Sequence, residues 1–462
     1  MAVQVAQLES YLEAFTDFTR QRPSETPAWL RDLRESAFAR FCETGFPTTR
    51  NEDWRFTNLA SLVRTPFRLP REEETTPLQQ KHTAAWQISG AAARLIFING
   101  HYYPGLSTLE KLPAGIKLCG LRQAIRDAEP VLSRHLGRYV NITRDPFCAL
   151  NTAFMEDGAF LLLPRNTVAD APIHLLFVST ASEVPLMTHP RNLIIVEEQA
   201  QISIVEEYVS FGEEVPAFSN AVTELVAGEN ATVIHTLIER EHGQAFNFST
   251  LRIEQARSAN VASHSLLLGG GLVRNNVHPV LAGEGGECLI NGLFIGSGHQ
   301  HLDNYMQVEH AKPHCASRQF YNGILDGQSH GVFHGRIIVH KDAQKTDAKQ
   351  TNRNLLLSDA AQIDTKPQLE IYADDVKCTH GATIGQIEEN ALFYLQSRGI
   401  AEPEARRLLL GAFAGECLER IAESPLRAYA EAALEQRLTT LAGNSRTSGS
   451  GNFASRNWEE LG

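Results

Sequence analysis

The sequence lacks any pair of cysteines at the Cys-x-x-Cys spacing that structural zinc and iron–sulfur sites commonly use. Its seven cysteines are odd in number and scattered from Cys42 to Cys417. This pattern argues against a disulfide framework and against a zinc or iron–sulfur site built by this chain alone.

The chain also lacks the motifs of nucleotide hydrolysis and nucleophilic catalysis. It has no Walker A sequence, no GxGxxG after a strand, no GxSxG and no HExxH. It has no excess of basic residues either, because 54 Asp and Glu outnumber 42 Lys and Arg, for a formal net charge of −12. Without a basic field to attract phosphates, nucleic-acid binding is not expected as a main role.

Long apolar runs are missing as well. No stretch of about 18 consecutive apolar residues occurs, so no membrane span is predicted. The start, MAVQVAQLESYLEAF, lacks the basic residues and apolar block of a secretory signal, so we expect a cytoplasmic protein. With 462 residues, of which 43% are hydrophobic, the composition predicts a soluble globular protein of more than one domain.

Changes of pattern divide the chain into four regions. Residues 1–150 form an N-terminal helical and mixed region, and 151–385 contain short strand-like segments such as FLLLP, IHLLFVS and GRIIVH. Residues 386–440 are helical again, and 441–462 form a Ser/Gly/Asn-rich tail predicted to be disordered. Because strands follow one another without helices, the central region is a sandwich, a barrel or a β-solenoid rather than a βαβ fold.

A weak internal repeat favours the solenoid. Asn291, His334 and His380 each begin a frame that continues Gly-x-x-Ile, at offsets of 43 and 46 residues. These offsets predict two coils of about 20–25 residues each between successive frames. Glycines spaced four apart from Gly323 to Gly335 predict tight turns or close stacking of coils.

The stretch DDVKCTHGAT places Cys378 and His380 two positions apart. On a strand their side chains leave the same face, so they could share a soft or borderline metal ion. Val376 lies on that face too, and a buried cysteine beside a hydrogen-bonded histidine is common in protein cores. Spacing alone favours the packed strand.

A second group, His299, His301 and Asp303, is predicted to lie on one strand face, with the spacing of metallohydrolase ligands. It predicts, as an alternative function, a metal-dependent enzyme on a β-solenoid. Side chains stacked at solenoid turns give the same pattern without a metal ion. A polysaccharide-acting β-helix using Asp374 and Asp375 is disfavoured, because adjacent strand residues point to opposite faces.

The C-terminal helical region carries an apolar stripe formed by Leu410, Phe413, Cys417 and Ile421. Pro403 is expected in the first turn of this helix, and Ser424-Pro425 is expected to begin another. Two interpretations stay open: the helices cap the end of the sheet region, or the stripe binds a partner protein.

Several segments together resemble the SufB/SufD family of the Suf iron–sulfur cluster assembly system. They are FPTTRNEDWRFTNL (46–59), the run from 343 to 400 that contains CTHG, and the helical segment after it. The Cys-x-His-Gly at 378–381 resembles the SufD branch, whereas SufB-like chains typically have Ser-His-Glu there, and the segment around Trp54 also favours SufD.

The resemblance implies a mainly β protein, with a right-handed parallel β-helix core flanked by N-terminal and C-terminal helical regions. It implies a non-catalytic scaffold that pairs with SufB and binds the ATPase SufC through its C-terminal helices. His380, with Cys378 beside it, would contact a transient iron–sulfur cluster shared with SufB. No tightly bound cofactor is expected on the isolated chain, which is itself a candidate homodimer.

Overall fold

The computed structural model describes residues 2–21, 26–71, 78–109, 112–422 and 424–444. The helices of the first part are α1 (Ala2–Arg20), α2 (Ala28–Thr44), α3 (Ala60–Arg64), α4 (Gln80–Thr83), α5 (Leu121–Arg126), α6 (Leu132–His135) and α7 (Pro146–Phe154). The C-terminal helices are α8 (Glu389–Ser397), α9 (Glu402–Leu418) and α10 (Pro425–Asn444).

Strands make up most of the described chain. The first ten are β1 (Ala93–Ile98), β2 (His101–Tyr102), β3 (Lys117–Gly120), β4 (Ala159–Leu163), β5 (Ile173–Thr180), β6 (Leu186–Thr188), β7 (Arg191–Val196), β8 (Gln201–Phe211), β9 (Ala217–Ala227) and β10 (Thr232–Arg240). The remainder are β11 (Phe246–Gln255), β12 (Asn260–Leu267), β13 (Leu272–Leu281), β14 (Glu287–Gly296), β15 (His301–His310), β16 (Ala316–Leu325), β17 (His330–Val339), β18 (Asp347–Leu356), β19 (Gln362–Ile371) and β20 (Lys377–Gly385).

These strands form two long sheets. Sheet I has the order β2-β1-β5-β8-β10-β12-β14-β16-β18-β20, and sheet II has the order β19-β17-β15-β13-β11-β9-β7-β4-β3, with β6 beside β9. From β8 onward the chain alternates between the sheets, and from β9 onward each strand pairs in parallel with the strand two before it. The core is therefore a parallel β-helix, as predicted.

One coil of the β-helix is longer than the sequence repeat suggested. His301 pairs with Leu272, and His330 with His301, so a coil advances by 29 residues here. The repeat frames at Asn291, His334 and His380 lie on β14, β17 and β20, which alternate between the sheets. Their offsets correspond to about one and a half coils, so the prediction of two coils of 20–25 residues was wrong.

Many strands of the central region, β14 among them, have two buried faces. On β14, Ile290 and Phe294 join the apolar cluster inside the β-helix, whereas Leu293 and Ile295 pack outward against the C-terminal helices. Side chains alternate along a strand, so a segment such as LFI can supply both layers at once. This explains why the central segments read as continuous apolar runs.

Helices cover the outer faces of both sheets. α1, α2 and α7 pack with Phe218 and Phe248 over sheet II. α9 and α10 pack on the outer face of sheet I, where they contact β14 and β16. The C-terminal helices therefore do not cap the end of the sheets, and that interpretation was wrong.

Several local predictions about helix ends are confirmed. α2 ends before Gly45, whose φ of 62° suits the residue after a helix. α10 begins at Pro425, and the Ser424 hydroxyl accepts a hydrogen bond from the Arg427 N–H at 3.4 Å. α10 also includes 441–444, while the rest of the predicted disordered tail, 445–462, lies outside the described residues.

The glycine run contains both features predicted for it. Gly327 adopts φ +67° in a turn, and a Cβ atom there would lie 2.9 Å from the main-chain nitrogen of Gly298 in the preceding coil. A turn and close stacking of coils therefore both favour glycine at this position. No helix of the described part of the chain is long and apolar enough to cross a membrane.

Candidate functional site: the open end of the β-helix

The last coil leaves one end of the β-helix uncovered. β20 is the final strand of sheet I and β19 the final strand of sheet II, and among the described residues each has a sheet neighbour on one side only. Most of β20 is exposed, in contrast to the buried strands of the preceding coils. An unpaired strand edge presents free backbone N–H and C=O groups that can pair with another chain.

Cys378 and His380 both lie on β20 and continue two columns of inward-facing side chains. Cys378 follows Ala348, and His380 follows Gln350, in the register of β18 and β20. Ala348 and Gln350 are buried, so the next side chains in each column point toward the mouth of the β-helix. The prediction that the pair shares one strand face therefore agrees with the register.

The two side chains differ in their surroundings. Cys378 and Val376 are half-buried and pack against the interior apolar cluster. Burial raises the pKa of the Cys378 thiol, which keeps it protonated in this chain alone. His380 is exposed. Spacing favoured a packed strand, and that interpretation fits Cys378 better than His380.

Gln350, which pairs with His380 in the strand register, has a side-chain oxygen that accepts no hydrogen bond from the described residues. Gln350 donates from Nε2 to Oε1 of Gln319 at 2.8 Å, while its own Oε1 is buried without a hydrogen-bond partner among the described residues. Gln350 lies directly beside His380 in the strand register. An amide oxygen at this position can accept a ring N–H and orient the imidazole.

The prediction that His299, His301 and Asp303 share a strand face was wrong for His299, which lies exposed in the turn before β15. The other two residues have a structural role. Asp303 accepts hydrogen bonds from the Thr57 hydroxyl at 2.5 Å and from the Arg274 guanidinium, and His301 Nε2 lies 3.0 Å from the Thr57 hydroxyl. These contacts attach the segment 46–59 to the outer face of sheet II. Among the described residues, no three or more His, Cys, Asp or Glu side chains are grouped so that they could hold a metal ion.

Arg274 completes this attachment, and the sequence interpretation did not anticipate it. Its guanidinium lies 3.8 Å from the Trp54 ring centroid and 4.8 Å from that of Tyr305. Burial lowers the pKa of His301 to about 4, so the imidazole is uncharged at neutral pH. The only available sequence signal was the unusual RNEDWRFT stretch, whose partner strand lies more than 200 residues away.

The apolar stripe of the C-terminal region faces the protein. Leu410, Cys417 and Ile421 are buried against sheet I. Phe413 is half-buried, and the Arg353 guanidinium lies over its ring, 5.2 Å from the ring centroid. These four side chains therefore hold the helices on the β-helix, and a protein that binds this region would first meet the opposite face of α9.

Fold and site together define a parallel β-helix with helices on both outer faces and one unpaired end that carries a histidine and a cysteine. The family model described as the SUF system FeS cluster assembly SufBD core domain matches residues 177–413. The model of the SufBD protein N-terminal region matches residues 5–175. The chain belongs to the SufBD family of iron–sulfur cluster assembly proteins.

Similar proteins span most of the chain. An iron–sulfur cluster assembly SufBD family protein of Synechocystis is 36% identical over 382 residues, covering 81% of this chain and 84% of the relative. The iron–sulfur cluster assembly protein SufD of Escherichia coli is 33% identical over 398 residues, covering 86% and 90%. SufD of Bacillus subtilis is 25% identical over 411 residues, covering 88% and 92%.

Proposed function

We propose that this chain is a SufD-type scaffold subunit, without catalysis of its own, on which an iron–sulfur cluster is assembled. The observation that carries the proposal is the unpaired last coil, with His380 exposed at its mouth. Relatives named SufD and family models that span the chain support it. The absence of a Walker A motif from the sequence agrees with ATP chemistry belonging to a partner.

The partner at the open end is a SufB-type subunit. The edges of β19 and β20 supply unpaired backbone groups, and the apolar side chains of Ile371, Tyr372 and Ile384 are exposed beside them. Strand edges combined with exposed apolar side chains favour pairing with the end of another β-helix. In isolation the same surface would pair two copies of this chain.

At this interface His380 supplies an imidazole to iron of the nascent cluster, which is cargo rather than a resident cofactor. Imidazole is a suitable ligand for iron, and the SufB-type partner completes the site with thiolate and carboxylate groups. Gln350 Oε1 orients the His380 ring. Cys378 lies beside the cluster and becomes a ligand only where the partner or the metal ion stabilises its thiolate.

An ATPase of the SufC type docks on the C-terminal helical region, residues 401–438. The outward surface there includes Leu408, which is 42% exposed, and the adjacent α8 presents Phe393 and Tyr394, which are 71% and 57% exposed. Exposed aromatic residues are enriched at protein interfaces. ATP binding by the partner would open or rearrange the cluster-bearing interface.

Co-expression with SufB- and SufC-type partners tests the assignment. We expect a stable complex that holds iron and sulfide, and expect His380→Ala to lose iron and change the absorption spectrum while the complex persists. Thr383→Ala, on the same exposed strand, is the matched control. Unchanged iron content and spectrum in His380→Ala would remove the ligand role.

Two further measurements test the partner assignments. A chain truncated after residue 400 is expected to lose the SufC-type ATPase, and recovery of the ATPase with the truncated chain would contradict docking there. Metal analysis of the isolated chain is expected to find little bound metal. A tightly held metal ion that disappears in His299→Ala would instead favour the metal-dependent enzyme.

A further inference from the structure

A cleft of about 730 Å³ lies along one corner of the β-helix, where strands of sheet I turn into strands of sheet II. Its wall is formed by the turns 240–246, 268–272 and 297–301, with Phe56 on one side and Arg437 of α10 on the other. None of the lining residues belongs to β19 or β20, so the cleft is separate from the open end. Its volume suits a small organic ligand.

Arg437 is held rigidly at this cleft. Its Nη2 donates to the Ile295 carbonyl at 2.9 Å, to the Ser297 hydroxyl at 3.0 Å and to Oε1 of Gln300. All three acceptors are uncharged. Nη1 makes no hydrogen bond among the described residues and is not among the fully buried atoms, so this donor is accessible. Three acceptors on one nitrogen fix the guanidinium in place, which lowers the entropy lost on binding.

The acidic side chains at the cleft are already engaged. Glu241 accepts hydrogen bonds from Ser179 at 2.8 Å, from Ser219 at 3.2 Å and from Asn247 at 2.7 Å. Glu239 accepts from main-chain N–H groups, and burial raises its pKa to about 8, so it is mostly uncharged at neutral pH. Neither carboxyl group hydrogen-bonds to Arg437, although Glu239 lies near enough to interact with its charge, so Nη1 of Arg437 stays available as a donor.

The second cation at the wall and the histidine beside it are already engaged. Arg240 pairs with Glu207. His242 accepts a hydrogen bond at Nδ1 from the Gln244 N–H at 3.2 Å, and its ring also interacts with the Val215 main chain and the Glu214 carboxylate. His242 therefore lines the cleft without offering a free donor. His299, which is exposed, lines it as well.

We propose that this cleft binds a small organic phosphate, whose phosphate group accepts a hydrogen bond from Nη1 of Arg437. Phosphate oxygens accept several donors at once and pair well with guanidinium groups. The carbon part of the ligand packs against Phe56 and Phe246, the aromatic residues of the wall. The site is a property of this chain and does not depend on a partner at the open end.

Isothermal titration calorimetry of the full chain with AMP, ribose 5-phosphate, inorganic phosphate and adenosine tests this proposal. We expect AMP or ribose 5-phosphate to bind at least about tenfold more tightly than adenosine, because a charge-assisted hydrogen bond is lost without the phosphate. Inorganic phosphate is expected to compete with the bound probe. Arg437→Gln is expected to weaken binding by about tenfold or more.

Arg407→Gln is the matched control, because Arg407 pairs with Glu404 and Glu435 on the outer surface of the helices. It is expected to bind like the wild-type chain. If Arg437→Gln does not fold, Arg437→Lys carries the test, because lysine keeps the charge and loses the planar guanidinium donors, with an expected loss of about threefold to tenfold for one hydrogen bond. Absence of binding by every phosphate probe, equal affinity for adenosine and AMP, or unchanged affinity in a folded cleft variant would overturn the proposal.

Discussion

Replacing Asp303 with alanine is expected to release the N-terminal segment from sheet II. The Asp303 side chain is 1% exposed and accepts hydrogen bonds from Thr57 and Arg274. Arg274 is itself buried between the rings of Trp54 and Tyr305. Without the carboxylate, the Arg274 charge stays buried and unpaired, and the Thr57 hydroxyl loses its acceptor.

The expected change in free energy follows from the burial of the ion pair between Asp303 and Arg274. Removing one partner of a buried ion pair typically costs about 3–5 kcal/mol, because the remaining charge is left without compensation. Since about 1.4 kcal/mol corresponds to a factor of ten, the segment should open roughly two to three and a half orders of magnitude more often. Replacing both partners with apolar residues, as in Asp303→Leu with Arg274→Met, should recover much of this stability.

Native-state hydrogen exchange measures this opening directly. The Trp54 N–H bonds to the Asn51 carbonyl at 2.9 Å, and the Thr57 N–H to the Trp54 carbonyl at 3.0 Å, so these two amides report on the segment. Asp375→Ala is the control, because Asp375 pairs with Lys345 on the surface. An exposed pair contributes only about 0–1 kcal/mol.

Two results would refute this account. One is a change of less than about tenfold in the exchange of the two amides in Asp303→Ala, which corresponds to less than about 1.4 kcal/mol. The other is a double variant that opens more readily than Asp303→Ala. Loss of a tightly bound metal ion in Asp303→Ala would in turn support a metal site instead of a structural attachment.

Three further predictions concern packing and pH. Leu410→Ala should destabilise the attachment of α9 to sheet I by about 2–5 kcal/mol, whereas the exposed Leu408→Ala should cost under about 1 kcal/mol, as measured by denaturant unfolding. Gly292→Ala should cost about 1–3 kcal/mol in the same assay, because its Cβ would lie 2.0 Å from the buried Tyr321 ring; Gly381→Ala, with open space around it, should be neutral. Acidification from pH 6.5 toward 4 should lower stability by up to about 1.4 kcal/mol per pH unit for each histidine that is uncharged in the fold and binds a proton on unfolding. Burial lowers the pKa to about 3 or 4 in four histidines: His189, His264, His301 and His310. The urea midpoint at pH 5 should fall below that at pH 7, and an unchanged midpoint would contradict the assigned burial.

The central strands could be predicted where both faces are apolar. RNLIIV and LFIG supply the interior of the β-helix and the layer under the helices at once, so local composition reveals them. β13 was not predicted as a strand, and β15 was predicted as one only around His301 and Asp303. Their outward positions carry residues such as Arg274 and Asp303, which are polar because they hold the N-terminal segment. Their strand character depends on a contact partner that local sequence does not show.

The apolar stripe of α9 is a second case in which local sequence does not show the contact partner. Its helical spacing was readable, and Pro403 and Ser424-Pro425 lie at the starts of helices as predicted. Whether Cys417 faces a partner or the same chain depends on sheet I, whose contacting strand lies more than 100 residues earlier. Periodicity identifies an apolar face but not what covers it.

For Cys378 and His380, the sequence by itself determined that both side chains leave one face of a strand, because alternation is a local property of the backbone. It also indicated the family, through the segments 46–59 and 343–400, the second of which contains this motif. Only the tertiary structure decided that this strand is the last of its sheet, that Cys378 is half-buried, and that His380 is exposed beside Gln350. Residues that pair between adjacent coils lie about 30 residues apart in the chain. Their positions relative to each other therefore follow from the stacking of coils and not from local sequence.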